Sequence, residues 1–319
     1  MQVSVNSNAA VLCEQALQLQ SELRIRSHQT TAGTQIIDFG VHVSGGLEAG
    51  LWLSRICMGN AAKVQLGPMP FGSPSSTYGP CVWVHSDAPV VACMAAQYAG
   101  WPVQVQDYFA MGSGPMRAKR GKEKILEHLA IEDVSPMAVG VLETEKLPDD
   151  SVCQQVAQEC NVSPDRLILC VAPTRSIAGA TQVVARSVET CLHKMHELGI
   201  DITRIQSATG QAPLAPPAVK TVEGIGRTND AILYGAQVTL YVDMEDAEIY
   251  PLGPKIPSNA STDWGRPFAK IFKGYDYDFY KVDPSLFSPA VVTICNLRTG
   301  KVASFGQLRP DVLATSFVG

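Results

Sequence analysis

The sequence has little charge and no long apolar run. Only 17% of its 319 residues are charged, the formal net charge is -5, and the one short basic run lies at residues 117–124. Without an extended basic face, the sequence does not predict binding to nucleic acid. No stretch approaches the roughly 18 to 20 consecutive apolar residues of a membrane-spanning helix. Composition therefore predicts neither a nucleic-acid partner nor a membrane partner.

Several signatures of metal sites and catalytic sites are also missing. There is no C-x-x-C, which disfavours a zinc ribbon or a thioredoxin-type redox pair. The glycines at 112 and 114 lack the G-x-S-x-G spacing, Gly45 and Gly46 lack the third glycine of a dinucleotide fingerprint, and no G-x-x-x-x-G-K-[ST] loop occurs. Serine hydrolases, nicotinamide-dependent enzymes and P-loop NTPases are therefore disfavoured.

The cysteines indicate a reducing compartment. There are nine of them, an odd number, and most lie in apolar runs, as Cys93 and Cys170 do. Such residues are typical of buried free thiols. The N-terminus lacks a basic segment followed by an apolar core. We therefore expect a cytoplasmic protein, and the 46% hydrophobic content supports one large or two ordinary globular domains.

The order of predicted elements recurs along the chain. A helix is predicted over residues 8–23, and the pattern strand, small-residue loop, helix, strand then occurs at 35–41, 42–46, 47–58 and 63–66, and again at 165–172, 173–180, 181–198 and 202–207. The recurrence indicates either duplicated β-loop-α-β units or two unrelated copies of a common order. We expect an α+β fold of two associated α/β-type domains, at 1–130 and 131–319, with strands after about 285 returning to the first domain.

The predicted helix at 181–198 carries the most informative polar residues. Helical spacing places Arg186 and Glu189 three residues apart on a face opposite an apolar stripe. They form either a solvated surface ion pair or part of a polar cleft. Glu189, His193 and His196 also have the spacing of helical metal ligands, but no H-E-x-x-H motif or nearby cysteine pair accompanies them.

Other candidate residues are weaker individually. Residues 44–46 and 110–114 are small and glycine-rich, so they either bring backbone N–H groups close to a ligand or form tight turns before helices. The aromatic run at 275–280 forms a core cluster or a ligand platform. Arg227, Asn229 and Asp230 offer a cation, an amide and a carboxylate within four residues. The alternative is that Thr228 or Asn229 only caps a helix.

Eight blocks of sequence are distinctive: IDFG (37–40), SGGLEAG (44–50), AGW (99–101), YFAMGSGP (108–115), VAPTRSI (171–177), ARSVET (185–190), GRTNDAILYG (226–235) and YDFYKVDP (277–284). Taken together, these blocks resemble the methenyltetrahydromethanopterin cyclohydrolases of one-carbon metabolism, and the resemblance runs from about residue 34 to 313. Archaeal members tend to have Trp at the position of Leu47 and Lys near Tyr98, so Gln97 or Tyr98 stands where a carrier-binding lysine is expected.

The resemblance implies an active site between two domains and a reaction. That reaction is the reversible hydrolysis of 5,10-methenyltetrahydromethanopterin to 5-formyltetrahydromethanopterin, which in bacteria is a step of formaldehyde oxidation. The resemblance also implies a homotrimer that works without a metal or prosthetic group. Glu189 and Arg186 match the family's acidic and basic positions, as base and orienting cation. Expected substrate-binding residues within the blocks are Ser44, Gly45, Gly46, Glu48, Gly112, Ser113, Thr174, Ser176, Arg227, Asn229, Asp230 and Tyr277. Two alternatives stay open: a noncatalytic reduced-pterin-binding protein, and a metal-dependent amidohydrolase built on Glu189, His193 and His196.

Overall fold

The computed structural model describes residues 2–68 and 79–318. The chain divides into two compact units. Unit 1 comprises Met1–Lys63 and Val91–Gln182, and unit 2 comprises Val64–Val90 and Val183–Gly319. This division corrects the boundary expected near residue 130, because residues 131–182 belong to unit 1. The strands after residue 285 also stay in unit 2 rather than returning to the first unit.

The strands of the described ranges are short and spread along the whole chain. They are β1 (Gln2–Val3), β2 (Arg26–Gln29), β3 (Gln35–Asp38), β4 (Lys63–Gly67), β5 (Cys81–Ser86), β6 (Trp101–Val105), β7 (Tyr108–Ser113), β8 (Glu132–Asp133), β9 (Ala138–Glu143), β10 (Leu167–Ala172), β11 (Ile205–Pro213), β12 (Gln237–Val242), β13 (Val291–Asn296) and β14 (Val302–Gly306).

The helices alternate with these strands. They are α1 (Val5–Gln18), α2 (Gln20–Leu23), α3 (Leu47–Cys57), α4 (Met116–Arg120), α5 (Lys124–His128), α6 (Asp150–Glu159), α7 (Ile177–Val184), α8 (Ser187–Glu197), α9 (Thr221–Gly235), α10 (Asp246–Ile249), α11 (Phe268–Gly274) and α12 (Pro310–Phe317). A π-helix spans Val90–Gln97, and 3₁₀ turns lie at Pro164–Arg166, Ile202–Arg204, Gly253–Lys255, Ser258–Ala260, Phe279–Lys281 and Pro284–Leu286.

Unit 1 is built on a six-stranded sheet in the order β2-β3-β10-β9-β7-β6. Its three central strands, β3, β10 and β9, are parallel neighbours. Every residue of β10 is buried, as expected of a parallel strand covered on both faces. The apolar run at 167–172 therefore reflects its central place in the sheet.

Helices cover both faces of this sheet. Side chains at alternate positions of β10 enter two different hydrophobic clusters, since Ile168 and Cys170 join one and Leu167 and Leu169 join the other. The first cluster also contains residues of α1, α3 and α7, and the second contains residues of α6 and α4. The helices that follow β9 and β10 thus pack on opposite faces.

Unit 2 contains a second six-stranded sheet, ordered β14-β13-β12-β11-β5-β4. Its strands alternate buried and more exposed residues; Val292 and Ile294 of β13, for example, are fully buried. That alternation is typical of a sheet with one covered face. Helix α8 packs against β11 and β12, and α9 packs against β11, α11 and α12.

The predicted α+β class and the recurring order of elements are confirmed, while two predicted helices have to be corrected. The helix expected at 8–23 is divided into α1 and α2, and the one expected at 181–198 is divided into α7 and α8, with Arg186 as the residue that precedes α8. Within the described ranges, no helix is both long and apolar enough to cross a bilayer.

Candidate functional site

The carboxyl ends of β3, β10 and β9 meet at one edge of the sheet of unit 1, because these strands are parallel neighbours. The loops that follow β3 and β10 contain five of the expected substrate-binding residues, namely Ser44, Gly45, Gly46, Thr174 and Ser176, and a sixth, Glu48, lies in the first turn of the helix after β3. Ligands of open α/β sheets bind outside this edge. The structure therefore brings together two loops that are about 130 residues apart in the sequence.

The loop after β3 is shaped by a buried carboxylate and a glycine. Asp38 accepts backbone N–H bonds from Gly40, Val41 and His42 at 2.7 to 2.8 Å. Gly45 has a φ of 56°, and a Cβ there would collide with the carbonyl oxygen of Phe39. Only glycine meets both demands without strain.

The candidate residues of this loop differ in exposure. Gly46 precedes the first residue of α3, and Glu48 lies in the first turn of that helix. Ser44 and Glu48 are exposed, whereas Gly45 and Gly46 are buried. The loop thus offers two polar side chains to solvent at the start of a helix.

The loops after β10 and β9 are linked by side chains. The Thr174 hydroxyl donates to the Glu143 carboxylate, and Nε of Arg175 donates to both oxygens of Glu145 at 2.9 and 3.1 Å. Ser176 caps α7 by accepting the N–H of Gly179 at 3.0 Å. Thr174 is buried, and the two carboxylates and Arg175 are half-buried.

Gly112 and Ser113 lie within β7, so residues 108–113 form a strand rather than a loop. Gly112 is paired with Leu142, and the Ser113 hydroxyl donates to the carbonyl of Val141 at 3.3 Å. Gly114, with a φ of 88°, forms the turn before α4. For this glycine the structure agrees with the tight-turn interpretation.

The Arg186 and Glu189 side chains lie together in unit 2. Nη1 of Arg186 is 3.7 Å from Oε2 of Glu189, and the two side chains are only 8% and 5% exposed. The pair is therefore not a solvated surface ion pair. Glu189 occupies the first turn of α8, where the helix dipole favours a negative charge.

Close backbone packing fixes the start of α8. Ser187 and Val188 lie against Gly210 of β11, where a Cβ would meet the Ser187 hydroxyl. The glycine lets the first turn of the helix approach the strand. The carboxylate of Glu189 and the guanidinium of Arg186 are thus carried by a helix end held against a sheet rather than by a free loop.

The alternative metal site is not assembled. Within residues 2–68 and 79–318, no group of three or more His, Cys, Asp or Glu side chains is arranged to hold a metal ion. Nε2 of His193 instead lies 3.9 Å from Oε1 of Glu197, one turn further along the helix. Glu189, His193 and His196 therefore do not form a ligand set in this structure.

The side chains of residues 227–230 on α9 form hydrogen bonds with other residues of unit 2. Arg227 donates to the carbonyls of Pro217 at 2.7 Å and Ser316 at 3.3 Å, and the Asn229 amide donates to the carbonyl of Ile225. Asp230 is fully buried and accepts the N–H of Phe268 at 2.7 Å. Burial raises the pKa of Asp230 to about 7, against the opposing effect of hydrogen bonds from Ser316 and the Phe268 amide.

Tyr277 lies on the rim of an aromatic cluster. It is half exposed, has a φ of 61°, and its ring is edge-on to Phe272 with the centroids 5.5 Å apart. Phe268, Phe279 and Phe287 complete the cluster behind it. The aromatic run thus supplies a core, and Tyr277 offers part of a ring to solvent.

Gln97 and Tyr98, which stand where the family lysine is expected, are placed by a buried arginine. Arg117 is fully buried and donates to the carbonyls of Met94 and Ala96 at 3.1 and 3.2 Å. It also pairs with Glu123 and lies over the Tyr98 ring. Arg117 therefore fixes the end of the π-helix that carries Gln97.

Sequence reasoning missed four polar residues at the carboxyl edge of the sheet of unit 1, namely Asp38, Glu143, Glu145 and Arg175. It also missed Arg117, which has a structural role on α4. Asp38 and Glu143 are the last residues of their strands. The apolar run 138–142 followed by Glu143 was the available signal, because polar residues directly after a buried parallel strand face the ligand edge.

Comparison with known proteins gives a consistent result over the whole chain. A sequence profile of the family described as "Cyclohydrolase (MCH)" matches residues 4–317. The chain is 55% identical over 293 residues to methenyltetrahydromethanopterin cyclohydrolase of Rhodopirellula baltica, covering 90% of this chain and 87% of the relative. It is 41% identical to the proteins of the same name from Methylobacillus flagellatus, covering 98% and 95% of the two chains, and Methanosarcina barkeri, covering 99% and 98%.

Proposed function

The chain belongs to the methenyltetrahydromethanopterin cyclohydrolase family, and we propose that it hydrolyses 5,10-methenyltetrahydromethanopterin to the 5-formyl compound with Glu189 as base and Arg186 as the orienting cation. The observation that supports these roles is the buried Arg186–Glu189 pair at the start of α8. The reaction is reversible, and we place it in formaldehyde oxidation.

The substrate chemistry suits a site of this kind. The methenyl carbon belongs to an amidinium cation and is already electrophilic, so the attack of water requires neither a covalent nucleophile nor a Lewis acid. The water oxygen bonds to this carbon while one water proton passes to the Glu189 carboxylate. Glu189 then gives that proton to N10 as the bond from the methenyl carbon to N10 breaks. The remaining hydroxyl proton leaves as the formyl carbonyl forms, so cation and water yield the neutral formyl compound and one proton.

Burial explains why the two residues would act together. A carboxylate in a site with little water interacts strongly with nearby charge, and it attracts the cationic substrate. Arg186 keeps the carboxylate in one orientation through the 3.7 Å contact. Losing either partner would remove a buried counter-charge from the other.

Turnover tests the proposal directly. Purified protein is incubated with the methenyl carrier while the near-ultraviolet absorption of the cation is followed. We expect Glu189→Gln, which keeps the shape and removes the base, to lower kcat by roughly 10² to 10⁴ fold. Glu197→Gln is the matched control, because Glu197 lies at the other end of α8 with its side chain 63% exposed, and it should leave the rate within about twofold.

Two outcomes would contradict the assignment. If the unaltered protein binds the carrier without turnover, the chain acts as a reduced-pterin-binding protein. If folded Glu189→Gln hydrolyses the carrier at close to the parental rate, Glu189 is not the base. An unchanged circular dichroism spectrum shows that the variant has folded.

We also propose a homotrimer in the cytoplasm that acts without a bound cofactor. None of the nine cysteines, which all lie in the described part of the chain, is joined in a disulfide, in keeping with a reducing compartment. Exposed apolar side chains in unit 2, among them Leu297, Val302 and Val318, provide surface that self-association would cover. Light scattering that gives only the 34.2 kDa monomer at micromolar concentration would reject the trimer.

A further inference from the structure

The sheet of unit 1 has one point at which the following helices diverge. Strands β9 and β10 are parallel neighbours in register from Leu167 with Ala138 to Ala172 with Glu143. Helix α6, which follows β9, contributes Val152 and Val156 to one hydrophobic cluster. Helix α7, which follows β10, contributes Ala178 to the cluster on the opposite face. In open α/β sheets such a topological switch point leaves a crevice that binds ligands.

Four polar side chains lie at this divergence point, and we use the name β9–β10 crevice for the site defined by Glu143, Glu145, Thr174 and Arg175. Glu143 is the last residue of β9, and Thr174 and Arg175 follow β10 by two and three residues. The hydroxyl of the buried Thr174 donates to the Glu143 carboxylate, and Arg175 is bound to both oxygens of Glu145. These bonds hold the carboxylates in place at the divergence point.

The charges of the crevice decide which ligand chemistry fits. Two carboxylates and one guanidinium give a formal charge of about -1, and the guanidinium is already engaged by Glu145. A phosphate or carboxylate ligand would therefore be repelled. An ionised carboxyl group accepts about four hydrogen bonds, and Thr174 supplies one to Glu143. The crevice suits a ligand edge that presents N–H donors.

A pterin has such an edge. Its pyrimidinone ring carries a ring N–H and an exocyclic amino group side by side, and two parallel N–H donors match the two oxygens of a carboxylate, as in an arginine–carboxylate fork. We infer that Glu143, held by Thr174 at the β9–β10 crevice, binds the aminopyrimidinone edge of the reduced pterin. The inference rests on the proposed function for its substrate class, and Glu143 is a binding residue that takes no part in proton transfer.

Binding of simple pterins tests this without turnover. The probes are 6-methyltetrahydropterin and the matching lumazine, in which an oxo group replaces the 2-amino group, and affinities are measured by ligand-observed NMR. We expect the unaltered protein to prefer the pterin at least tenfold. Glu143→Gln should reduce the preference below about twofold, because its amide NH₂ group would face the donors of the ligand. Glu132→Gln, an exposed glutamate of β8 in the same unit, should keep the full preference.

Kinetics with the methenyl carrier separate this role from a structural one. Glu143→Gln should raise KM ten- to a hundredfold while kcat changes less than about threefold, because the lost interaction is made equally in the ground and transition states. Thr174→Val, which removes the hydroxyl at nearly constant volume, should raise KM by a smaller factor. A merely structural role would lower kcat and thermal stability instead of dividing the effect in this way.

The two proposals fail separately. Equal affinity of the unaltered protein for pterin and lumazine, or an undiminished pterin preference in Glu143→Gln, would overturn the inference while turnover of the carrier stood. A preference that depends on Glu143 in a protein that does not hydrolyse the carrier would leave the inference standing and overturn the proposed function.

Discussion

Asp230 makes the stability of this protein depend on pH in a direction unusual for a carboxyl group. Its side chain is fully buried, and burial raises its pKa from 3.8 to about 7. Between these values the folded chain holds a proton that the unfolded chain has lost, so stability falls as the pH rises through this window and levels off above about pH 7. The full cost of ionising the buried group is about 4 kcal/mol, at about 1.4 kcal/mol per pH unit.

The variant Asp230→Asn isolates this effect. Asparagine keeps an oxygen that accepts the N–H of Phe268 but has no charge at any of these pH values. The free energy of unfolding of the parent, minus that of Asp230→Asn, should therefore fall by about 3 kcal/mol between pH 5 and pH 9. Urea denaturation at intervals of half a pH unit measures the difference.

The control for this measurement is Asp107→Asn. Because Asp107 is exposed, the stability of this variant should depend on pH in the same way as that of the parent. Parent and Asp230→Asn curves that run parallel from pH 5 to pH 9 would show that Asp230 is ionised throughout, and that the argument from burial is wrong.

Three further predictions concern metal dependence, the backbone at Gly45 and the buried side chain of Arg117. Prolonged chelation should change turnover by less than about twofold, or about 0.4 kcal/mol of barrier, whereas restoration of a chelated, inactive protein by zinc would favour a metal-dependent mechanism. Gly45→Ala should lower the free energy of unfolding by at least about 2 kcal/mol, since it adds a clash with Phe39 to an unfavourable φ. The control Gly199→Ala, at a φ of 77° in open space, should cost about 1 kcal/mol. Equal losses of stability in the two variants would exclude the clash. Arg117→Met should lower the free energy of unfolding, measured by urea denaturation, by about 3 to 5 kcal/mol, because it leaves Glu123 and two carbonyls without their buried partner. A loss below about 1 kcal/mol, the amount expected for an exposed ion pair, would contradict this account.

Local sequence patterns predicted many single elements well. The helix at 47–58 is α3 and the apolar run at 165–172 contains β10, because spacing along one chain segment reports directly on which face is buried. The predicted helix at 181–198 was wrong at one point, because the helix breaks between α7 and α8, where Arg186 lies outside both helices. Its separation from Glu189 was still enough to place the two side chains together.

Long-range pairing was less accessible to sequence reasoning. The domain boundary near residue 130 was misplaced because β4 and β5 pair within unit 2, and β9 and β10 within unit 1, against their order in the chain. The expected position of the active site between the domains stays a prediction. Glu143 was overlooked because its significance depends on the neighbouring strand, which begins 24 residues later.

The sequence by itself determined the family, the α+β class and the polar spacing on α8, since motifs, periodicity and helical geometry are properties of contiguous residues. Only the tertiary structure decided that Asp230 is buried, that Arg186 and Glu189 are shielded from solvent, and that Thr174 is hydrogen-bonded to Glu143. The physical reason is that burial and strand neighbours depend on contacts between distant segments, and these contacts set the charge environment in which each side chain acts.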